Sequence, residues 1–380
     1  MNLASKLPHI STTIFTIMSG LAQENNALNL AQGFPDFSCP EELNELVYKY
    51  MKEGKNQYAP MAGLPLLRES LAGKIYTSYG IKVDPGEEIT LTCGATEGIY
   101  AAITAVVKQG DEVIIFEPAF DSYAPIVELN GGIPVYLSMN YPDYKPNWEE
   151  VKKVINHKTR LIIINSPHNP TGAILEKSDM IQLQDLCKNT DILILSDEVY
   201  EHIIFDGKTH ESVLFYPDLR NRSFILSSLG KTYHNTGWRM GYCVAPKKLT
   251  EEFRKIHQYL TFSIATPMQY AMADFVKIKE HYLGLSQFYQ QKRDFFNQCL
   301  SKSSFDLSPS KGTYFQLLSY KNFSNKSDVE LAKELTIKNG IACIPVSVFF
   351  HDRKDEKVLR FCFAKQDDTL TKATRILCRI

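Results

Sequence analysis

Reactive side chains in this sequence sit directly after apolar runs. In SFILSSLGKTYHNTGWRMGY (223–242), Lys231 follows a strand-like run, with Ser228 three residues before it and Arg239 eight after. A lysine held near other cations and partly withdrawn from water has a lowered pKa, so its amine becomes a usable nucleophile and base. Ser228 and Arg239 are suited to hold an anion beside it. DILILSDEVY (191–200) ends its apolar run on Asp197, with Tyr200 three residues on. A carboxylate at that depth demands a partner, because an unpaired buried charge is expensive. A protonated ring nitrogen, a structural arginine or a ribose hydroxyl would each serve. CGATEG (93–98) joins a strand to a helix, so the amides of Ala95 and Thr96 would face an anion at the helix N-terminus. That turn is neither GxGxxG nor GxxxxGK[ST], which argues against dinucleotide binding and nucleotide hydrolysis and leaves a single phosphate open. NSPHNPTG (165–172) is a turn by composition. Phosphate site, lysine and buried aspartate together point to pyridoxal phosphate.

These residues need a scaffold that brings them to one place. Strands are expected at 88–93, 112–118, 134–139, 160–166, 191–199, 223–228 and 241–246. Runs such as LIIIN and ILIL are apolar at every position, as in strands buried on both faces. Helical patterns lie between them, for example 95–110 and 175–189, with Gly110 read as a helix stop. This alternation implies a mostly parallel α/β sheet. In such a sheet ligands bind beyond the carboxyl ends of the strands, where 94–96, 117–120, 165–169, 197–200 and 228–231 would converge. After about residue 247 the rhythm changes to a long helical tract, then GTYFQLLSY, a helix, VLRFCFA and a final helix, which reads as an α+β segment. The first forty residues show no βαβ rhythm.

Composition narrows the function classes. A chain of 380 residues exceeds the usual size of one hydrophobic core, so two domains are expected. A net charge of -1 gives no general attraction to nucleic acid or membrane. Eight cysteines without a CxxC pair suggest free thiols in a reducing compartment, and nine histidines without a ligand cluster give a metal site little support. The N-terminal stretch lacks the features of a signal peptide, and no apolar run approaches the ~20 residues of a membrane helix. A cytoplasmic protein is expected.

The motifs resemble those of the class I aminotransferases of the aspartate-aminotransferase fold, over essentially the whole chain. SSLGKTYHNTGWRMGY resembles the family's lysine motif, SPHNPTG its asparagine motif, SDEVYEH its Asp-x-x-Tyr motif and LRFCFA its carboxylate-binding arginine motif. NLAQGFPDF, EPAFDSY, SLGKTYHNTGW and HQYLTF are similar to the methionine aminotransferase and kynurenine–glutamine transaminase branch. The resemblance implies an α/β fold: a large domain with a mostly parallel seven-stranded sheet flanked by helices, plus a smaller α+β domain. The divisions expected are an arm and part of the small domain (1–45), a large cofactor-binding domain (46–280) and a small C-terminal domain (281–380).

It also implies roles. Lys231 would bond covalently to pyridoxal 5′-phosphate, be displaced by substrate and move the proton between Cα and the cofactor's C4′. Asp197 would keep the pyridine nitrogen protonated. Tyr200 and Asn169 would hydrogen-bond the ring hydroxyl oxygen, and Phe120 would stack on the ring. Ala95, Thr96, Ser228 and Arg239 would bind the phosphate, with Tyr58 reaching that of a neighbouring subunit in a homodimer with shared sites. Arg360 would take the α-carboxylate in a fork that lysine cannot reproduce, beside Gly33 and Asn169. Phe262, with Tyr259 in HQYLTF, is expected near the substrate side chain. Many members carry Ser immediately before the lysine, whereas this chain has Gly230.

The expected reaction is transfer of the α-amino group of a large neutral amino acid to a 2-oxo acid. Methionine is the first choice, ahead of aromatic donors, Leu, His, Gln or kynurenine. The aromatic residues Phe15, Tyr259, Phe262 and Phe349 suggest a roomy apolar pocket. Two alternatives use the same cofactor site: a β-lyase cleaving C–S bonds of cysteine conjugates, and a non-catalytic cofactor-sensing regulator.

Overall fold

A computed structural model describes residues 4–380; the first three residues of the N-terminal arm lie outside the described residues. A helix, Ile14–Glu24, and a short strand β1 (Leu28–Asn29) open the chain. The central sheet is built from β2 (Ile89–Cys93), β3 (Glu112–Glu117), β4 (Ile133–Ser138), β5 (Thr159–Asn165), β6 (Leu193–Asp197), β7 (Ser223–Ser228) and β8 (Met240–Val244). Beyond it lie β9 (Phe315–Ser319), β10 (Ile341–Ala342), β11 (Ile344–Pro345) and β12 (Val358–Cys362). The seven strands run in the order β2-β8-β7-β6-β5-β3-β4.

All neighbouring pairs of that sheet are parallel except those of β8, which is antiparallel to β2 and β7. The reversal has a functional consequence. Carboxyl ends of the parallel strands place Gly94, Asn165, Asp197 and Ser228 on one edge, and the amino end of β8 delivers Arg239 to the same edge. Ser228 is opposite Gly241 and Cys93 opposite Met240.

Both faces of the sheet are covered. Ile114, Ile162, Ile194 and Ile225 belong to one apolar cluster, whereas Val113, Leu161, Leu195 and Phe224 belong to another. Alternate residues of one strand therefore feed two cores, which is why the strand sequences are apolar throughout. A third cluster joins Met18, Ala22, Leu30 and Ala31 to the C-terminal residues Leu335, Ile341, Leu359 and Phe361. The N-terminal segment, which showed no βαβ rhythm, thus packs with the chain's end, and β1 pairs in parallel with β10. A three-stranded antiparallel sheet, β11-β12-β9, completes this part.

Some boundaries differ from the sequence reading. The Gly94–Val106 helix stops four residues short of Gly110, whose φ of 86° belongs to the turn before β3. The paired part of the 191–199 run is shorter, Leu193–Asp197, because the chain turns directly after the aspartate. All eight cysteines are free, and Cys187, Cys243, Cys343 and Cys362 are buried. Among the described residues no helix is long and apolar enough to cross a membrane.

Candidate active site

At the carboxyl edge of the sheet lies a cavity of about 180 Å³, lined by residues from six strand ends. Ala95, Thr96, Asn169, Tyr200, Ser228 and Lys231 face it, with Phe120, Asp197 and Arg239. Ten residues expected from the sequence at the cofactor therefore come together except for one, Tyr58.

One end is shaped for an anion. Gly94 has a φ of 70°, and a Cβ there would lie 2.6 Å from the Arg239 guanidinium. A Cβ on Gly241 would strike the Gly94 carbonyl carbon and the Ala95 nitrogen. The two glycines thus let the start of the Gly94–Val106 helix, the guanidinium and β8 share one space. That helix presents its N-terminal amides and positive dipole end to the cavity. Glu97 occupies its first turn but is turned away: its carboxylate accepts from the Cys93 amide and from His257 Nδ1 at 3.1 and 2.9 Å. Arg239 itself is held in the left-handed region, at φ 54°, a conformation that costs a non-glycine residue roughly 1–2 kcal/mol. Gly230 explains the missing hydroxyl: a Cβ there would come within 3.1 Å of the Thr236 Cα, so neighbouring backbone fills the place.

The centre of the cavity holds Asp197 and Lys231. Asp197 is buried, and its carboxylate accepts from the Tyr123 hydroxyl at 2.6 Å and the Val199 amide at 3.3 Å. Burial pushes its pKa up to about 6 against those hydrogen bonds, because no cation touches it. The Lys231 amine donates only a long hydrogen bond, 3.3 Å, to the Gly33 carbonyl, and lies 5.7 and 5.8 Å from the ring centroids of Tyr200 and Tyr314. Burial first, then the positive fields of Arg239 and Arg360, bring it down to about 8, while Asp197 pulls the other way.

The other end centres on Arg360, which is 1% exposed. Its guanidinium donates to Asn169 Oδ1 at 2.7 Å and to the Ala31 carbonyl at 2.9 Å, and packs over Phe315, Phe15 and Phe349. Its Nε has no partner, and among the described residues no carboxylate lies within ion-pair distance of it. Burial lowers its pKa to about 10. A buried cation finished only by neutral acceptors is suited to take a carboxylate.

Tyr58 and Phe262 stand apart from this cavity. They meet each other edge-on at 5.4 Å on the surface, 83% and 46% exposed, with Tyr259 also exposed. Three residues to which the sequence reading gave no role support the site, one lining the cavity and two standing behind it. Asn165 ends β5 and donates to the Asp197 carbonyl while accepting from the Asn169 amide, which fixes the asparagine turn. Tyr123 supports Asp197, and Tyr314 donates to the Gly33 carbonyl at 2.5 Å. Asn165 was visible as a polar residue at a strand end; Tyr123 closes the EPAFDSY motif and Tyr314 lies in GTYFQLLSY, and neither was given a role there.

Comparison with known proteins agrees with this geometry. The profile of the family described as aminotransferase class I and II matches residues 25–377. Methionine aminotransferase of Escherichia coli (strain K12) is 48% identical, over 98% of this chain and 97% of that protein. Kynurenine–oxoglutarate transaminase of Dictyostelium discoideum is 32% identical over 95% of this chain and 92% of its own length. The crystal structure of YbdL from Escherichia coli, reported to have a methionine aminotransferase function, superposes with a TM-score of 0.98 at 47% identity, covering 100% of both chains. Sequence, fold and cavity agree that the chain belongs to the class I and II aminotransferases.

Proposed function

We propose that the chain transfers the α-amino group of a large neutral amino acid, methionine first, to a 2-oxo acid, using pyridoxal 5′-phosphate. The observation that carries this reading is the pairing, in one cavity, of a buried carboxylate lacking a cation with a lysine amine of lowered pKa. The cofactor fits the unfinished groups one by one. Its phosphate suits the amides of Ala95 and Thr96 with Ser228 and Arg239. Its ring suits the space beside Phe120, with a protonated nitrogen opposite Asp197 and a ring oxygen near Tyr200 and Asn169. When bound, the cofactor withdraws the electron pair left as the Cα proton departs and keeps the amino group between half-reactions.

The chain's own residues do the rest. The Lys231 amine would be basic enough to take the Cα proton and acidic enough to give a proton back at neutral pH. Asp197, with its ionised form stabilised once a cation faces it, holds that cation in place. Arg360 and Asn169 orient the substrate carboxylate, and Gly33 lets the backbone approach it. Phe15 and Phe349, packed on Arg360, leave an apolar wall for an uncharged side chain. The methionine preference is supported by the two Escherichia coli comparisons.

The exposed aromatic group of Tyr58, Tyr259 and Phe262 supports a homodimer in which these side chains reach the neighbouring site. Domain limits near residues 45 and 280 are supported by the third cluster, which gathers residues 18–31 with residues beyond 281, although Tyr200, Ile203 and Phe205 join it as well, and unpaired cysteines suit the cytoplasm. The test is the absorption spectrum of the purified protein before and after L-methionine is added without an oxo acid. A yellow band that bleaches is expected; a colourless protein that cannot take up pyridoxal phosphate would overturn the reading.

A further inference from the structure

In β7 neighbouring residues point to opposite faces, and the turn after β6 likewise sends adjacent side chains to different places. Ser228 lines the cavity, and Ser227 reaches away from it to Glu201. Tyr200 lines the cavity, and the next residue is Glu201. The Glu201 carboxylate is a meeting point for four donors. Its Oε1 accepts from the Lys74 amine at 2.8 Å, from Ser227 and from the Tyr242 hydroxyl at 3.2 Å, while the Tyr79 hydroxyl bonds Oε2. Lys74 and Glu201 side chains are 0% and 5% exposed, and the amine also lies 5.5 Å from the Tyr282 ring. The nearby His202 ring supplies no charge, because burial and then Lys74 hold its pKa down at about 3. Lys74 is therefore the counter-ion.

The donors come from separate elements. Lys74 and Tyr79 belong to the Pro65–Tyr79 helix, Ser227 to β7 and Tyr242 to β8. The carboxylate therefore ties the turn after β6 to the two strands that present Ser228 and flank Gly241. Next to it, Glu198 accepts from Ser196, His210 and the Val213 amide, bracing the other side of Asp197. Within the mechanism above, neither Lys74 nor Glu201 has a role.

We propose that Lys74 and Glu201 are positioning residues: a buried ion pair behind the sheet edge that sets Tyr200 and Ser228 at the height the cofactor requires. The proposal rests on the cofactor reading given above. Groups that bind or react must be held to within a fraction of an ångström by their supporting shell, and a looser shell leaves the site present but imprecise. Removing both charges of a buried ion pair together is often neutral or stabilising where the remaining donors keep an acceptor, which separates the two roles.

The test is the double variant Lys74→Met/Glu201→Gln, which removes both charges and keeps an acceptor for the hydroxyls, compared with wild type for thermal midpoint and for uptake of pyridoxal phosphate by cofactor-stripped protein, read by equilibrium dialysis. Retained melting with affinity reduced by about tenfold is expected, together with a fall in kcat that exceeds any rise in the KM for methionine, since Arg360 is untouched. Cofactor affinity within twofold of wild type would overturn the proposal. Should the double variant not fold, Ser227→Ala leaves the ion pair intact and removes its link to β7. About threefold weaker cofactor binding is expected, and unchanged binding overturns the proposal. Wild-type protein that takes up no pyridoxal phosphate would instead bring down the functional reading.

Discussion

Asp197 and Glu201 are buried carboxylates four residues apart, and the fold treats them in opposite ways. Glu201 meets a lysine and three hydroxyls. Although burial opposes its ionisation, Lys74 and those donors hold its pKa below the ordinary carboxylate range. Asp197 meets one hydroxyl and one amide and no cation, and its pKa rises. The same contrast separates Lys74, fully engaged, from Lys231, whose amine has one long hydrogen bond, and it recurs at Arg360 with its unpartnered Nε. A completed network reports a structural task, and an incomplete one at the carboxyl edge of a parallel sheet reports a ligand.

Substitutions can sharpen or break this contrast. The largest effect is expected for Lys231→Ala, which should cut turnover by about 10³-fold or more while circular dichroism and melting stay near wild type. Substantial residual turnover would remove the lysine from the chemistry. Glu201→Leu should act the other way, on the fold: it leaves Lys74 buried and unpaired, so a loss of about 4 kcal/mol in denaturant unfolding is expected. An unfolding midpoint close to wild type would mean that Lys74 finds another partner, and the contrast would fail.

Asp197→Asn is the most informative variant because its two effects have opposite signs. In the cofactor-free protein the folded-state pKa, about 6, lies above the ordinary value of 3.8. The folded state therefore binds the proton more tightly than the unfolded one, and Asp197 costs stability increasingly as pH rises from about 4 to 6. Above pH 6 that cost levels off at about 3 kcal/mol. The asparagine variant should accordingly be more stable than wild type at pH 7.5 and equal to it below pH 4, while losing activity. Urea titrations at the two pH values check this. Arg360→Lys is expected to be the mildest, raising the KM for methionine by roughly 30-fold through loss of the planar fork, with little change in cofactor uptake.

Much of this arrangement was readable in the sequence, for identifiable reasons. LIIIN and ILIL are uniformly apolar because their alternate residues feed two cores, so strands and parallel sheet followed directly. Asp197, Ser228 and Lys231 were conspicuous as polar groups ending such runs. The Lys74–Glu201 pair was not, because its members are 127 positions apart and each resembles a surface charge in its local context. Tyr123 and Tyr314 were hidden for the same reason: their task is defined by a partner far along the chain. The antiparallel run of β8 leaves no local mark either, although it is what brings Arg239 to the site. Tyr58 and Phe262 were singled out by motif alone, and within one chain they face outwards.

The position of Ala31 against Arg360 has a consequence for how the chain is made. The seven strands of the central sheet and the residues of the anion cradle are all present once Val244 has been synthesised. The carboxylate end is different, because its two halves stand 329 positions apart. β1 also waits for β10, so the first thirty residues have no parallel partner strand until nearly the whole chain has emerged. A ribosome making this protein thus delivers the groups of the sheet-edge cavity early and the Arg360 end last. Chains that stop before residue 341 would carry the central strands without the strand pairing that secures the segment beside Arg360.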